Sequence, residues 1–162
     1  TKFTVDFSFD IASKEEVYGN QNTMKPSAIH TIKGTRILLV EDNELNAEIA
    51  ETVLEDDGAL VTRVEDGQQA VELFKEKPAG TFDAILMDLM MPVMDGYTAT
   101  RKIRSLEHSD AKTIPIIAMT ANAFQEDAEK CIAVGMNAHL AKPLNIEKMM
   151  TTICHLVKKK NE

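Results

Sequence analysis

Glu41, Asp42, Asp88, Thr120 and Lys142 are the residues of this 162-residue chain whose types and positions can do chemistry together. Each follows a short apolar run: Arg36–Val40, Phe82–Met87, Pro115–Met119 and Ala138–Ala141. Three carboxylates brought together with no arginine nearby repel one another, so such a cluster needs a cation or raised pKa values. Oxygen ligands in an incomplete cage suit Mg2+, which keeps several waters and takes one or two carboxylates plus phosphate oxygens. A carboxylate not wholly consumed as a ligand can act as a nucleophile and form an aspartyl phosphate. Asp88, set between the acidic pair and Thr120 with Lys142, is the natural candidate. A transferred phosphoryl group would place its oxygens against Mg2+, the Thr120 hydroxyl and the Lys142 ammonium.

The elements that must position these residues alternate along the chain. Arg36–Val40 is a continuous apolar run, as expected of a strand buried on both faces of a parallel sheet. Leu45, Ile49 and Val53, joined by Ala50 and Leu54, predict a helix with one inward face that stops at Gly58. Ala59–Val64 reads as a second strand, and Asp66-Gly67 opens a helix carrying Ala70, Val71 and Phe74. Phe82–Met87 is a third strand, followed by a helix from about Asp95 with Ile103 and Leu106 inward. Pro115–Met119 is a fourth strand, Ala123–Val134 a helix ending at Gly135, and Ala138–Ala141 a short fifth strand. A last helix from about Asn145 sets Ile146, Met149, Met150, Ile153, Leu156 and Val157 at spacings of three and four. Five strands, each followed by a helix, imply a doubly wound α/β fold, whose site lies beyond the carboxyl ends of the strands.

Upstream, Phe3, Val5, Phe7, Phe9 and Ile11 alternate with polar residues, a strand pattern with one buried face. Residues 13–34 show no periodicity and hold Gly19, Asn20, Asn22 and Pro26, so they read as a linker, with the domain proper starting near Thr35. Apolar residues make up 44% and charged residues 27% of the chain, enough to build a core. The formal charge of −8 argues against non-specific nucleic-acid binding. The apolar runs are far shorter than the roughly 20 residues of a membrane span. Two cysteines, Cys131 and Cys154, imply no disulfide framework, and a reducing cytoplasmic setting is expected.

Residues 35–158 resemble the receiver domain of two-component response regulators. The resemblance is carried by Val40-Glu41-Asp42-Asn43, by Met87-Asp88-Leu89-Met90-Met91-Pro92-Val93-Met94-Asp95-Gly96, by Met119-Thr120-Ala121 and by Lys142-Pro143. It implies a flavodoxin-like five-stranded parallel sheet of order 2-1-3-4-5 flanked by five helices, and a receiver spanning residues 35–160. It further implies that Asp88 accepts phosphate from a phosphohistidine and that Asp42, Asp88 and the Met90 carbonyl bind Mg2+. Glu41 would hold a metal-bound water, and Thr120 would be the switch hydroxyl beside a cis Lys142-Pro143 peptide. Met90 and Asn122 would flank the path of an attacking water. His139 departs from the family pattern, which has Tyr or Phe there, and an imidazole at that position can alter the strength or pH response of the switch.

Residues 1–12 resemble the last strand of a histidine-kinase ATP-binding domain, and strand, linker and receiver follow in the order found in hybrid sensor kinases. The expected partners are a histidine kinase or a histidine phosphotransfer domain, as donor or recipient, with the parent protein at the membrane or free of it. Two alternatives stay open: a docking module that works without phosphorylation, and a stand-alone regulator. A phosphohydrolase on a related fold would need an acid two positions after the nucleophile, where this chain has Met90. Asp95-Gly96 reads as turn and helix cap, His30, His108 and His155 as ordinary histidines, and both cysteines as small buried hydrophobes.

Overall fold

The computed structural model describes residues 31–121 and 125–161. The expected N-terminal strand, nearly all of the linker and Asn122 lie outside these residues. Ten elements alternate: β1 (Arg36–Val40), α1 (Glu44–Asp56), β2 (Leu60–Val64), α2 (Gly67–Glu76), β3 (Ala84–Asp88), α3 (Gly96–Ser105), β4 (Ile116–Thr120), α4 (Gln125–Ala133), β5 (Ala138–Ala141) and α5 (Ile146–Asn161). The strands form one parallel sheet in the order β2-β1-β3-β4-β5, as expected.

The unbroken apolar runs of β1, β3 and β4 have a direct cause, since each strand is covered on both faces. Leu38, Val40, Ile85, Met87, Ile116 and Ala118 pack on one side with Phe74, Ile103 and Cys131 from α2, α3 and α4. Ile37, Leu39, Leu86, Ile117 and Met119 pack on the other with Leu54 of α1 and Ile153 of α5. Side-chain caps fix where helices start. Asn43, Asp66, Asp95 and Asn145 each accept a hydrogen bond from the backbone N–H three residues on, at 2.8–3.0 Å. Gly58 and Gly135 follow α1 and α4 with φ of 84° and 101°, a region in which a Cβ is strained.

Three expectations change. The buried face of α1 is Ala47, Ala50 and Leu54, with Val53 beside them, whereas Leu45 and Ile49 are 65% and 54% exposed. The small residues Ala47 and Ala50 face the sheet, and the larger Leu45 and Ile49 lie on the exposed side, Ile49 beside Glu41, Asn46 and Lys142. Ile146 of α5 is likewise exposed, while Met149, Ile153 and Cys154 are buried. At the other boundary Ile32, inside the range read as linker, is buried in the α1/α5 core, and its N–H donates to Asp57 Oδ2 at 2.9 Å.

Candidate functional site

The register of the sheet brings the expected residues to one end. Val40 pairs with Val64 and Met87, Asp88 with Met119, and Thr120 with Ala141, so the residues at or just after these ends share one edge. Glu41, Asp42 and Asp88 each offer an oxygen within 4.8 Å of the others. Glu41 and Asp88 are buried and Asp42 is exposed, so the cluster opens to solvent on one side.

Lys142 crosses the sheet ends to reach two of the three carboxylates. Its Nζ donates to Glu41 Oε2 at 2.6 Å and to Asp88 Oδ2 at 2.8 Å. Burial would lower the pKa of the ammonium, but the hydrogen bonds and charges of Asp88 and Glu41 outweigh it and hold the group above its usual range. Asp88 Oδ1 accepts from the Met90 N–H at 3.2 Å. Thr120 is buried at the end of β4, and its carbonyl accepts the Lys142 N–H at 2.7 Å, tying the threonine to the lysine through backbone. The Lys142-Pro143 peptide is cis, as expected.

Sequence reasoning missed Asn46. Its Nδ2 donates to Glu41 Oε1 at 3.1 Å, so both oxygens of this carboxylate are held, one by Asn46 and one by Lys142. The available signal was the Asn43 cap, which fixes the first turn of α1 and turns position 46 back toward the strand end. Asp95 caps α3, as the turn-and-cap reading of Asp95-Gly96 expects. Burial works to raise its carboxyl, and the bonds from Thr98 hold it below the usual range instead. Gly96 matters more to the site than that reading implied. A Cβ there would stand 2.2 Å from the Asp88 carbonyl oxygen, so α3 can begin against the nucleophile's backbone only with glycine.

Among the remaining candidates, His139 lies on β5 in a shallow groove between α4 and α5 with Glu129, Ile132, Lys148 and Thr152. His108 is not idle: its ring packs on Phe74 with centroids 4.7 Å apart, and its nitrogens meet Lys77 O and Asp110 N. Cys131 and Cys154 are free and buried.

The chemistry that this edge offers is a buried carboxylate, Asp88, bonded to an ammonium that also holds Glu41, with Asp42 completing the acidic cluster. Residues 37–154 match the model of the response regulator receiver domain. The chain belongs to that family. It is 39% identical over 158 residues to histidine kinase 1 of Arabidopsis thaliana, with 79% of this chain and 13% of that protein covered. It is 41% identical over 133 residues to hybrid signal transduction histidine kinase B of Dictyostelium discoideum, with 76% and 7% covered. The chain thus spans about an eighth or less of the length of these relatives. Among solved structures, the receiver domain of a sensor histidine kinase from Pseudomonas aeruginosa, with magnesium coordinated in its active-site cleft, has 44% identity and a TM-score of 0.69. The match covers 77% of this chain and 98% of that one. The Ssk1 receiver of Saccharomyces cerevisiae, solved with the histidine phosphotransfer protein Ypd1, has 28% identity and a TM-score of 0.70, covering 79% and 92%. No helix among the described residues is long and apolar enough to cross a membrane.

Proposed function

We propose that this receiver accepts a phosphoryl group on Asp88 from a phosphohistidine, within a hybrid histidine kinase. The observation that carries the reading is the Asp88 carboxylate held at 2.8 Å by the Lys142 ammonium and facing Glu41 and Asp42. A carboxylate oxygen of Asp88 attacks phosphorus in line, and the bond from phosphorus to the imidazole nitrogen breaks with its electron pair left on the ring. Lys142, already bonded to Asp88, meets the incoming negative charge, and Thr120 at the end of β4 offers a hydroxyl to the product.

One ammonium against three carboxylates leaves two negative charges uncompensated, which fits a divalent cation with oxygen ligands. Asp42, Asp88 and the Met90 carbonyl would hold Mg2+, with Glu41 on a metal-bound water, and the ion when bound neutralises charge on the phosphoryl oxygens. The kinase relatives and the magnesium-bound and Ypd1-bound receivers support this reading. The free, buried cysteines accord with a cytoplasmic setting.

The test is incubation of the wild type and Asp88→Asn with Mg2+ and acetyl phosphate, followed by intact mass. The expected result is a gain of one phosphoryl group in the wild type only. A wild type that neither gains this mass nor binds beryllofluoride, under conditions that label another receiver, overturns the proposal.

A further inference from the structure

The loop joining Asp88 to α3 holds a residue whose conformation and exposure both run against its type. The Met94 N–H donates to the Pro92 carbonyl oxygen at 2.6 Å and closes a three-residue turn, with Val93 at its centre at φ 63°. That region is costly for any residue with a Cβ, and most costly for a β-branched one, whereas glycine enters it freely. Packing gives nothing back, because Val93 is 84% exposed. The turn itself has structural work: it buries the Met94 side chain and points the Met94 carbonyl at the Gly67 N–H, 3.1 Å away. Glycine would make the same turn with less strain. Nothing among the described residues therefore accounts for the isopropyl group of Val93.

A contact outside the chain would account for it, and the transfer chemistry says what would lie there. In-line attack by Asp88 requires the donor histidine to be carried over the carboxylate, so the donor's surface covers the loops around it. This loop is tied closely to the nucleophile, through Met90 N to Asp88 Oδ1 at 3.2 Å and Gly96 N to Leu89 O at 3.1 Å. Met90, three residues before Val93, is 76% exposed and is a second exposed apolar side chain of the same loop. We propose that Val93 is a specificity-determining contact, seated on an apolar patch beside the phosphohistidine of the partner protein. The inference rests on Asp88 as phosphoryl acceptor and names the surface that its donor must present.

The test compares Val93→Gly and Val93→Ile with the wild type, using two donors: acetyl phosphate, which needs no docking surface, and phosphorylated Ypd1. For Val93→Gly, the expected results are wild-type labelling by acetyl phosphate and a Tm no lower than the wild type. With phosphorylated Ypd1, KM rises about tenfold while kcat is unchanged. Val93→Ile keeps the wild-type KM. Equal slowing with both donors would show that the residue acts through loop geometry, and an unchanged KM would show no contact; either overturns the inference. So does a Tm lower by several degrees, which would give the side chain a role in the fold. Failure of phosphorylated Ypd1 to label a wild type that acetyl phosphate labels overturns a histidine phosphotransfer protein as the surface that Val93 meets. A wild type labelled by neither donor defeats the reading of Asp88 instead.

Discussion

Lys142 reaches two carboxylates at once, and its position sets the charge balance of the site. Replacing it by methionine removes the one ammonium among the described residues that faces Glu41 and Asp88 and leaves their repulsion uncompensated. Lys142→Met is expected to lose phosphoryl uptake from acetyl phosphate by at least about tenfold, since removal of one charge-stabilising group commonly costs more than that. The same variant should bind divalent cations more tightly than the wild type, read by titration with Mg2+ or a luminescent lanthanide. Weaker binding would mean that Lys142 holds the carboxylates in place more than it competes with the ion. The raised pKa of Lys142 also has a consequence for stability. A base whose folded value lies above its unfolded one, ordinarily 10.5, contributes fully below that pH and loses its contribution as pH climbs through the folded value. In EDTA, denaturation midpoints should fall on the alkaline side, with a smaller fall in Lys142→Met.

At the scale of elements, the site depends on two junctions where backbone meets backbone. Gly96 begins α3 against Asp88, and Gly67 begins α2 against the same loop, where a Cβ would stand 2.6 Å from Met94 O and 2.8 Å from Ala99 Cβ. Gly96→Ala is expected to cost about 2 kcal/mol or more in chemical denaturation, in the range of overpacked cores, and to slow phosphoryl uptake by displacing Asp88. Loss of stability with uptake unchanged would show that the loop relaxes away from the nucleophile. Removing a cap acts differently. Asp66→Ala should cost about 1 kcal/mol through the first turn of α2, with uptake intact, because Asp66 caps Gln69 and touches none of the site carboxylates.

Across the whole molecule, the three central strands that deliver Glu41, Asp88 and Thr120 are also the most deeply buried, so one core supports the geometry of the site. Leu86→Ala removes a fully buried side chain and should cost roughly 3 kcal/mol, read from denaturant midpoints. At the opposite end of the sheet, Arg36 grips Asp83 through paired bonds of 2.7 and 2.9 Å. Burial pushes the Asp83 carboxyl up, but the Arg36 bonds hold it below its ordinary 3.8. An acid lowered in this way contributes above its unfolded pKa and loses the contribution as pH falls through the folded one. Asp83→Asn should therefore flatten the acid limb of the stability profile below about pH 4, and an unchanged limb would assign acid sensitivity to other carboxylates.

The sequence by itself determined the alternation of strands and helices, the bounds of β1 and β5 to the residue and those of the other strands within two. It also determined which five side chains stand at strand ends. Those features are local: apolar runs, capping residues and glycine stops act over one turn or one strand. Tertiary structure decided the rest. Leu45 and Ile49 have the spacing of a core stripe, yet Ala47, Ala50 and Leu54 face the sheet, because closeness of approach rather than periodicity chooses the stripe. Asn46 enters the site only once α1 is docked, and Gly96 shows its importance only when α3 lies against the Asp88 carbonyl. The span from Glu41 to Lys142 across the sheet ends likewise exists only through the order of the strands, since hydrogen bonds and steric contacts are set by distance in space while a sequence records distance along the chain.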